Sequence, residues 1–256
     1  QHHVAPATKV DEDDEDIDSY PCAVAVPAVY CYDSSIESLL EAMGGTGVVF
    51  QRSMCALAGA LLPSPDEGKP NTLIEHLGKV MAAMHKEHQK NLVKNPDLVF
   101  EEDMLLLLTG VTNDCAECTA VQISAPRHQD GMWGNFKVLT NVSYRHENPE
   151  SIIDKCISEL FDTLDTVAPE AGGPVAMVSY GTTAEQKTIH IKWEKLKNSL
   201  EDWEEVPHFF SNPNSIALGT AVMGAVSHGR ITNVVQKPGK KPKAELAIQV
   251  QNVSPV

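Results

Sequence analysis

Residues Ser211–Gly229 read SNPNSIALGTAVMGAVSHG. Asn212-Pro213 marks a turn. Asn214 or Ser215 offers a side-chain oxygen to the orphan N–H groups that open a helix. Ala217, Gly219, Ala221, Gly224 and Ala225 then follow at close intervals. Each glycine inside a helix costs about 1 kcal/mol relative to alanine. A helix holding two of them among alanines is therefore expected to bring its backbone close to a neighbour. Alone, this describes a tightly packed core helix; the segments upstream give it its meaning.

Pro21–Tyr32, PCAVAVPAVYCY, is a continuous Val/Ala/Tyr run of the kind expected of a strand buried on both faces. Asp33-Ser34-Ser35 supplies an N-cap, and Ile36, Leu39, Leu40 and Met43 recur at helical spacing before Gly44-Gly45. A short strand over Gly47–Phe50 leads into a second small-residue helix, SMCALAGALL. The order β-α-β-α is that of a sheet flanked by helices.

From Leu62 to Phe100 the character changes. PSPDEGKPN is loop, Thr72-x-x-Glu75 reads as a capping box, and Leu73, Leu77, Val80, Met81 and Met84 make one apolar face that must pack against the core or a partner. Lys94-Asn95-Pro96 stops this helix. DMLLLL (Asp103–Leu108) is the next buried strand. TGVTNDCAEC follows as a polar turn, and Thr119–Ser124 completes a hairpin. Phe136–His146 is a third strand, and Ser151–Thr166 is an amphipathic helix with Ile152, Ile153, Cys156, Ile157, Leu160, Phe161 and Leu164 inward. PVAMVSYGT is strand then turn, and EQKTIHIKWEKLKNSL is helix. After the Ser211–Gly229 helix and the basic linker KPGKKPK comes a final strand, AELAIQVQNV.

Composition sets bounds. The 256 residues fit one large domain or two lobes, and 42% apolar residues suffice for a core. A formal charge of −15 argues against nucleic acid, whose phosphates attract Lys and Arg. DEDDEDID, Asp11–Asp18, is a like-charge block read as a solvated or disordered arm, solubilising or able to meet a basic partner. No apolar run reaches the ~18 residues of a membrane span. Six cysteines, at 22, 31, 55, 115, 118 and 156, are scattered through mostly apolar segments. That suits buried thiols in a reducing intracellular compartment, cytosol or organelle, better than a disulfide framework.

Six segments in this order resemble the actin-like ATPase domain of the DnaK-type (seventy-kilodalton) heat-shock chaperone family. PCAVAVPAVYCYDSS resembles the valine-rich strand ending P-A-Y-F-N-D-S, and VVFQRSMCALAGAL the segment I-N-E-P-T-A-A-A-L-A-Y-G. MLLLLTGVTNDCAECTAVQIS lies where the second phosphate hairpin F-D-L-G-G-G-T-F-D-V-S belongs, and PVAMVSYGTTAEQKTI at the adenosine segment L-V-G-G-S-T-R-I-P. NPNSIALGTAVMGAV is similar to N-P-D-E-A-V-A-x-G-A-A-V-Q-A, and AELAIQVQNVSPV to the strand after the interdomain linker. The resemblance implies an α/β, actin-like (ribonuclease H-like) fold, partial, with mixed sheets flanked by helices. It divides the chain into an acidic arm over 1–20, a degenerate ATPase-like domain over 21–236 with an inserted helix in 62–100, and a basic linker with the start of a β-rich domain over 237–256.

The departures bear on activity. In such ATPases an aspartate positions magnesium and water near the γ-phosphate, and glycine-turn N–H groups cradle phosphates. By the resemblance, Leu108 stands at that aspartate and Arg52 at the connecting-segment glutamate. Ser179-Tyr180 replaces the adenosine-segment Gly-Gly, and D-L-G-T-T is absent from this chain. The remnants of a nucleotide site are Gly110, Thr112, Gly181 and Thr182. Losing charge stabilisation at one position commonly costs ~10²–10³ in rate, so no catalytic residue is assigned and ATP hydrolysis is not expected. The implied function is a non-catalytic chaperone-like structural or assembly subunit. It would act through protein partners by way of the Leu73-Leu77-Met81-Met84 helix or the acidic arm, with no cofactor. The alternative is a divergent ATP-binding chaperone that assists protein folding and uses ATP and Mg.

A third class rests on Cys115-x-x-Cys118, which invites a zinc or redox reading. Zinc needs four ligands, and no second Cys or Cys/His pair stands at ligand spacing; a thioredoxin-like pair belongs at a helix start, not in a hairpin. His85 and His88 share a helix face at i, i+3 without an evident third ligand. No metal site is expected.

Overall fold

The computed structural model describes residues 22–31, 33–42, 47–62, 71–94, 103–112, 114–124, 136–169, 172–198 and 205–227. The acidic arm, Met43 with Gly44-Gly45, the basic linker and the expected final strand lie outside the described residues. The protein is mixed α/β. Five strands, β3 (Asp103–Val111), β4 (Cys115–Ser124), β5 (Phe136–Arg145), β6 (Pro174–Tyr180) and β7 (His208–Phe210), form one sheet in the order β5-β4-β3-β6-β7. β3 pairs antiparallel with β4, and β4 antiparallel with β5; β3–β6 and β6–β7 are parallel. A separate two-stranded parallel sheet joins β1 (Ala23–Val26) to β2 (Val48–Gln51).

β3 shows why the central strand reads as unbroken leucine. Leu105 and Leu107 face one side, where α4 (Ile153–Val167) and α5 (Thr183–Lys197) bury Ile153, Cys156, Ile157, Leu160 and Trp193. Met104, Leu106 and Leu108 face the other, beneath α2 (Arg52–Ala60) and α3 (Thr72–Leu92), which supply Leu57, Leu73 and Leu77. Each such side chain, fully buried, contributes ~1.5–3 kcal/mol. A strand covered on both faces cannot alternate polar with apolar.

The small-residue helices meet each other. α6 (Ser215–Ser227) lies on α2 so closely that a Cβ at Gly219 would stand 1.8 Å from the Cys55 carbonyl oxygen, and one at Gly59 1.9 Å from that of Ser215. Only hydrogen fits between these backbones. At the other end of α6, a Cβ on Gly224 would lie 2.6 Å from the Ala23 Cβ, so α6 runs from the end of α2 to the beginning of β1.

Several expectations need correction. PCAVAVPAVYCY is not one strand: β1 ends at Val26, Pro27 withholds a ladder N–H, and Ala28–Tyr30 is a 3₁₀ turn. The cap of α3 is Asn71, whose side chain accepts from the Leu73 and Ile74 N–H groups, and Thr72 is the first helical residue. The polar stretch after Leu108 is mostly strand, because Thr109–Val111 and Cys115–Cys118 pair across the hairpin. A 3₁₀ turn, Pro149–Ile152, precedes α4. β7 was not anticipated. α1 (Ser35–Ala42) begins where expected, with Asp33 accepting from the Ser35 backbone and hydroxyl. The apolar face of α3 is spent largely inside the chain: Leu73 and Leu77 are buried, and Val80, Met81 and Met84 pack against the same cluster. The Leu73-Leu77-Met81-Met84 stripe is therefore not a free surface.

Candidate functional site

Because β3 and β6 are parallel neighbours, their C-terminal ends come together, with Gly110 paired to Tyr180. Crevices outside such strand ends are where open α/β sheets bind ligands. Gly110, Thr112, Gly181 and Thr182 are brought to this one end of the sheet. Gly181 has φ +117, and a Cβ there would stand 3.2 Å from the Val111 carbonyl oxygen, which joins the two strand ends. Leu108, two residues earlier on β3, is wholly buried in the core and offers no carboxylate.

Each of the four residues is already engaged. The Thr112 N–H donates to the Cys115 carbonyl, and its hydroxyl donates to Asp114 and Cys115, closing the β3–β4 turn. Thr182 caps α5: its hydroxyl accepts from the Glu185 N–H at 3.4 Å, while its own N–H donates to Glu185 Oε2 at 2.7 Å. A helix N-terminus attracts anions. Here the anion is the Glu185 carboxylate, whose Oε2 lies 2.7 Å from the Cβ position of Gly181. Over Gly110 lies the Tyr180 ring; a Cβ on Gly110 would stand 2.0 Å from its Cε2. The Tyr180 ring thus lies against Gly110, and the Glu185 carboxylate against Gly181.

Beneath this cap sits a closed polar cluster. Glu117, on β4 opposite Gly110, has no solvent exposure. Its Oε1 accepts from the Tyr180 hydroxyl and, at 2.9 Å, from Arg52 Nε; its Oε2 accepts from the Ala28 N–H at 3.1 Å. Arg52 opens α2 and is buried, with its guanidinium carbon 5.9 Å from the Tyr180 ring centroid. One carboxylate thus ties the segments following β1 and β2 to the five-stranded sheet. Burial pushes the Tyr180 hydroxyl well above its usual value, and Glu117 adds to this. For Arg52, burial opposes the charge, but the Glu117 carboxylate outweighs it and the guanidinium stays charged. Arg52 Nη2, Gln51 Oε1 and Ser53 Oγ are buried with no hydrogen-bond partner among the described residues.

Sequence reasoning noted the arginine but missed Glu117. The available signal was a single carboxylate in an otherwise uncharged strand, CAECTAVQI. A second seam lies at the rim. The Tyr30 hydroxyl donates to Asp114, and Arg145 pairs with Asp33 at 2.6 Å while stacking 3.8 Å over the Tyr30 ring.

The CxxC pair does not form an open site. Cys115 and Cys118 are buried on β4, with Cys118 beside Thr109 and Cys156. All six cysteines are free thiols. Among the described residues no group of three or more His, Cys, Asp or Glu is placed to hold a metal ion, and no helix is long and apolar enough to cross a membrane. No family model and no curated protein matches the chain.

Proposed function

We propose that the chain is a non-catalytic, heat-shock-chaperone-like protein of actin-like fold, acting as a structural or assembly subunit through protein–protein contacts. The fold part of this reading is supported by the sheet: an antiparallel β3-β4-β5 meander with parallel β6 and β7 on the far side of β3 is the order an actin-like (ribonuclease H-like) lobe has. The β1–α1–β2–α2 run beside it fits the connecting part of a second lobe.

The observation that carries the functional part is the double occupation of the strand ends. Tyr180 lies over Gly110, and the Glu185 carboxylate stands where Gly181 would meet an anion. Phosphate binding there would require moving a buried tyrosine off a buried carboxylate, which is unfavourable in a low-dielectric interior, and displacing the partly exposed Glu185 carboxylate from the Thr182 N–H. A fold kept without its ligand machinery has value as a shape for partners.

Calorimetric titration of the protein with ATP and ADP, with and without magnesium, tests this. The expected result is no saturable binding tighter than about 1 mM, some 4 kcal/mol. Micromolar, magnesium-dependent binding would overturn the scaffold reading in favour of a divergent nucleotide-binding chaperone.

A further inference from the structure

β7 leaves one edge of the five-stranded sheet open. It runs parallel to β6, with Met177 opposite His208 and Ser179 opposite Phe210. The Met177 N–H donates to the Pro207 carbonyl, and the Ser211 N–H to the Ser179 carbonyl, both at 2.9 Å. The backbone groups of Pro207, Phe209 and Ser211 therefore point toward β6. By strand alternation those of His208 and Phe210 point the other way, and among the described residues no strand pairs with them. Sheets commonly blunt such an edge with charged side chains. His-Phe-Phe carries no lysine, arginine or carboxylate.

Apolar and basic side chains stand beside this edge. Phe210 is 51% exposed and Ile191 of α5 is 55% exposed. Lys187, Ile191 and Lys195 recur every fourth residue, so they share the face of α5 opposite buried Gln186, Ile189 and Trp193. His190 turns toward the sheet and sets its ring 5.3 Å from that of Phe210, which joins this face to β7. The other charges of α5 are engaged: Lys197 with Glu194 at 3.4 Å, Lys192 with Asp154, and Glu185 with the Thr182 N–H. Lys187 and Lys195 form no ion pair among the described residues. The patch thus sets positive charge around two exposed apolar side chains.

We propose that the β7 edge receives an extended, acidic segment of a partner protein. It adds as a sixth strand, lays an apolar side chain against Phe210 and Ile191, and meets Lys187 and Lys195 with carboxylates. Two outward-facing residues supply few main-chain bonds, so the apolar contacts and the charges complete the affinity. A second copy of this chain fits less well, because twofold pairing of β7 with itself brings each lysine pair toward its own image. The chain as a whole carries −15, so the attraction is local to this edge and fades within a Debye length. This partner belongs to the scaffold reading and rests on it. Nucleotide titration tests that reading and peptide binding tests the edge, so either can fail alone.

NMR titration of the full chain with the synthetic peptide EEVIVEE tests the docking. Saturable shifts are expected at the His208 and Phe210 amides, with half-saturation in the micromolar range. Amide exchange at both should slow by about tenfold or more. Lys187→Glu combined with Lys195→Glu, both at exposed positions, should weaken binding about tenfold or more while the β3 and β4 resonances stay in place. Phe210→Ser should weaken binding and leave its salt dependence unchanged. High salt should weaken binding to the unsubstituted chain. The peptide KKVIVKK should bind at least about tenfold more weakly than EEVIVEE. Absence of saturable shifts up to ~1 mM peptide would overturn the proposal. So would equal binding of the basic peptide, indifference to the double lysine replacement, or shifts centred on β5 rather than β7.

Discussion

Tyr180 on β6 donates its hydroxyl to Glu117 on β4, and across this bond the ring lies on Gly110 of the strand between them. The same Glu117 oxygen takes Arg52 Nε at 2.9 Å. A buried pair of this kind is expensive to break and cheap to replace, because desolvation cancels most of its attraction. Glu117→Ala should therefore cost about 3–5 kcal/mol by leaving Arg52 charged and alone. The double replacement Arg52→Met with Glu117→Leu should come near neutral, allowing for the lost bonds to Tyr180 and Ala28. Urea unfolding of the three proteins decides this. Equal losses in the single and double variants would mean that the ion pair itself, not the orphaned charge, holds the seam.

Three glycines should respond in opposite ways to the same change. Gly59→Ala and Gly219→Ala push a methyl group into opposing backbone at under 2 Å, so α2 and α6 must separate. Overpacking that cannot relax commonly costs 1–3 kcal/mol or more, and about 3 kcal/mol is expected for each. Gly78 lies in the middle of α3 with nothing within 4 Å of its Cβ position. Gly78→Ala should stabilise the protein by about 1 kcal/mol through helix propensity. Thermal unfolding of the three variants gives the comparison, and a destabilised Gly78→Ala would contradict the open space around that helix.

What the sequence disclosed depended on whether a residue's neighbours were local. The leucines of β3 and the Ile153–Leu164 stripe of α4 carry their burial in their own period, and both elements stand as expected. The glycines of α6 announced a close approach, although not that Gly59 of α2 was the other half of it. Thr109, Cys115, Glu117 and Cys118 looked like turn because they are polar or small; pairing across the hairpin and burial against Trp193 and Arg52 make them strand. Three residues of β7 are too few for a period to show. Glu117 and Arg52 stand 65 residues apart, and only the assembled sheet makes them partners.

The thiols should divide by location. Burial raises Cys55 to about 11 and Cys115 to about 12, with Glu117 adding to the latter, and it pushes Cys118 well up beside Cys156. Cys31 is half-buried and raised to about 11 by desolvation and Glu117. The thiolate is the nucleophile, so at pH 8 the native protein should release one equivalent rapidly in a disulfide-exchange assay, from exposed Cys22, and all six only when unfolded. Cys22→Ser should abolish the fast phase. Rapid labelling at Cys115 or Cys118 in the native state would revive the redox reading of the CxxC pair.

His208 should make the fold acid-sensitive. Its Nδ1 shares a hydrogen bond of 2.7 Å with Nδ1 of His190, the ring stacks on Phe210, and its Nε2 is buried with no partner among the described residues. Burial first, then the nearby His190 and Lys197 charges, bring its value down to about 3. In the unfolded chain a histidine titrates near 6.5. Between pH 6.5 and 3 the unfolded state therefore binds the extra proton and the native state does not, so stability falls as pH falls. The slope contributed by this one group reaches about 1.4 kcal/mol per pH unit. Above pH 6.5 both states are neutral and the contribution is constant. Acidic residues also titrate below pH 5, so the informative quantity is the difference between the native protein and His208→Asn. The variant should be less stable at pH 7.5, where the inter-histidine bond is lost, and should lose less on acidification, so that the two stability curves converge between pH 6.5 and 4. Parallel curves over that range would mean that His208 takes up its proton as readily folded as unfolded.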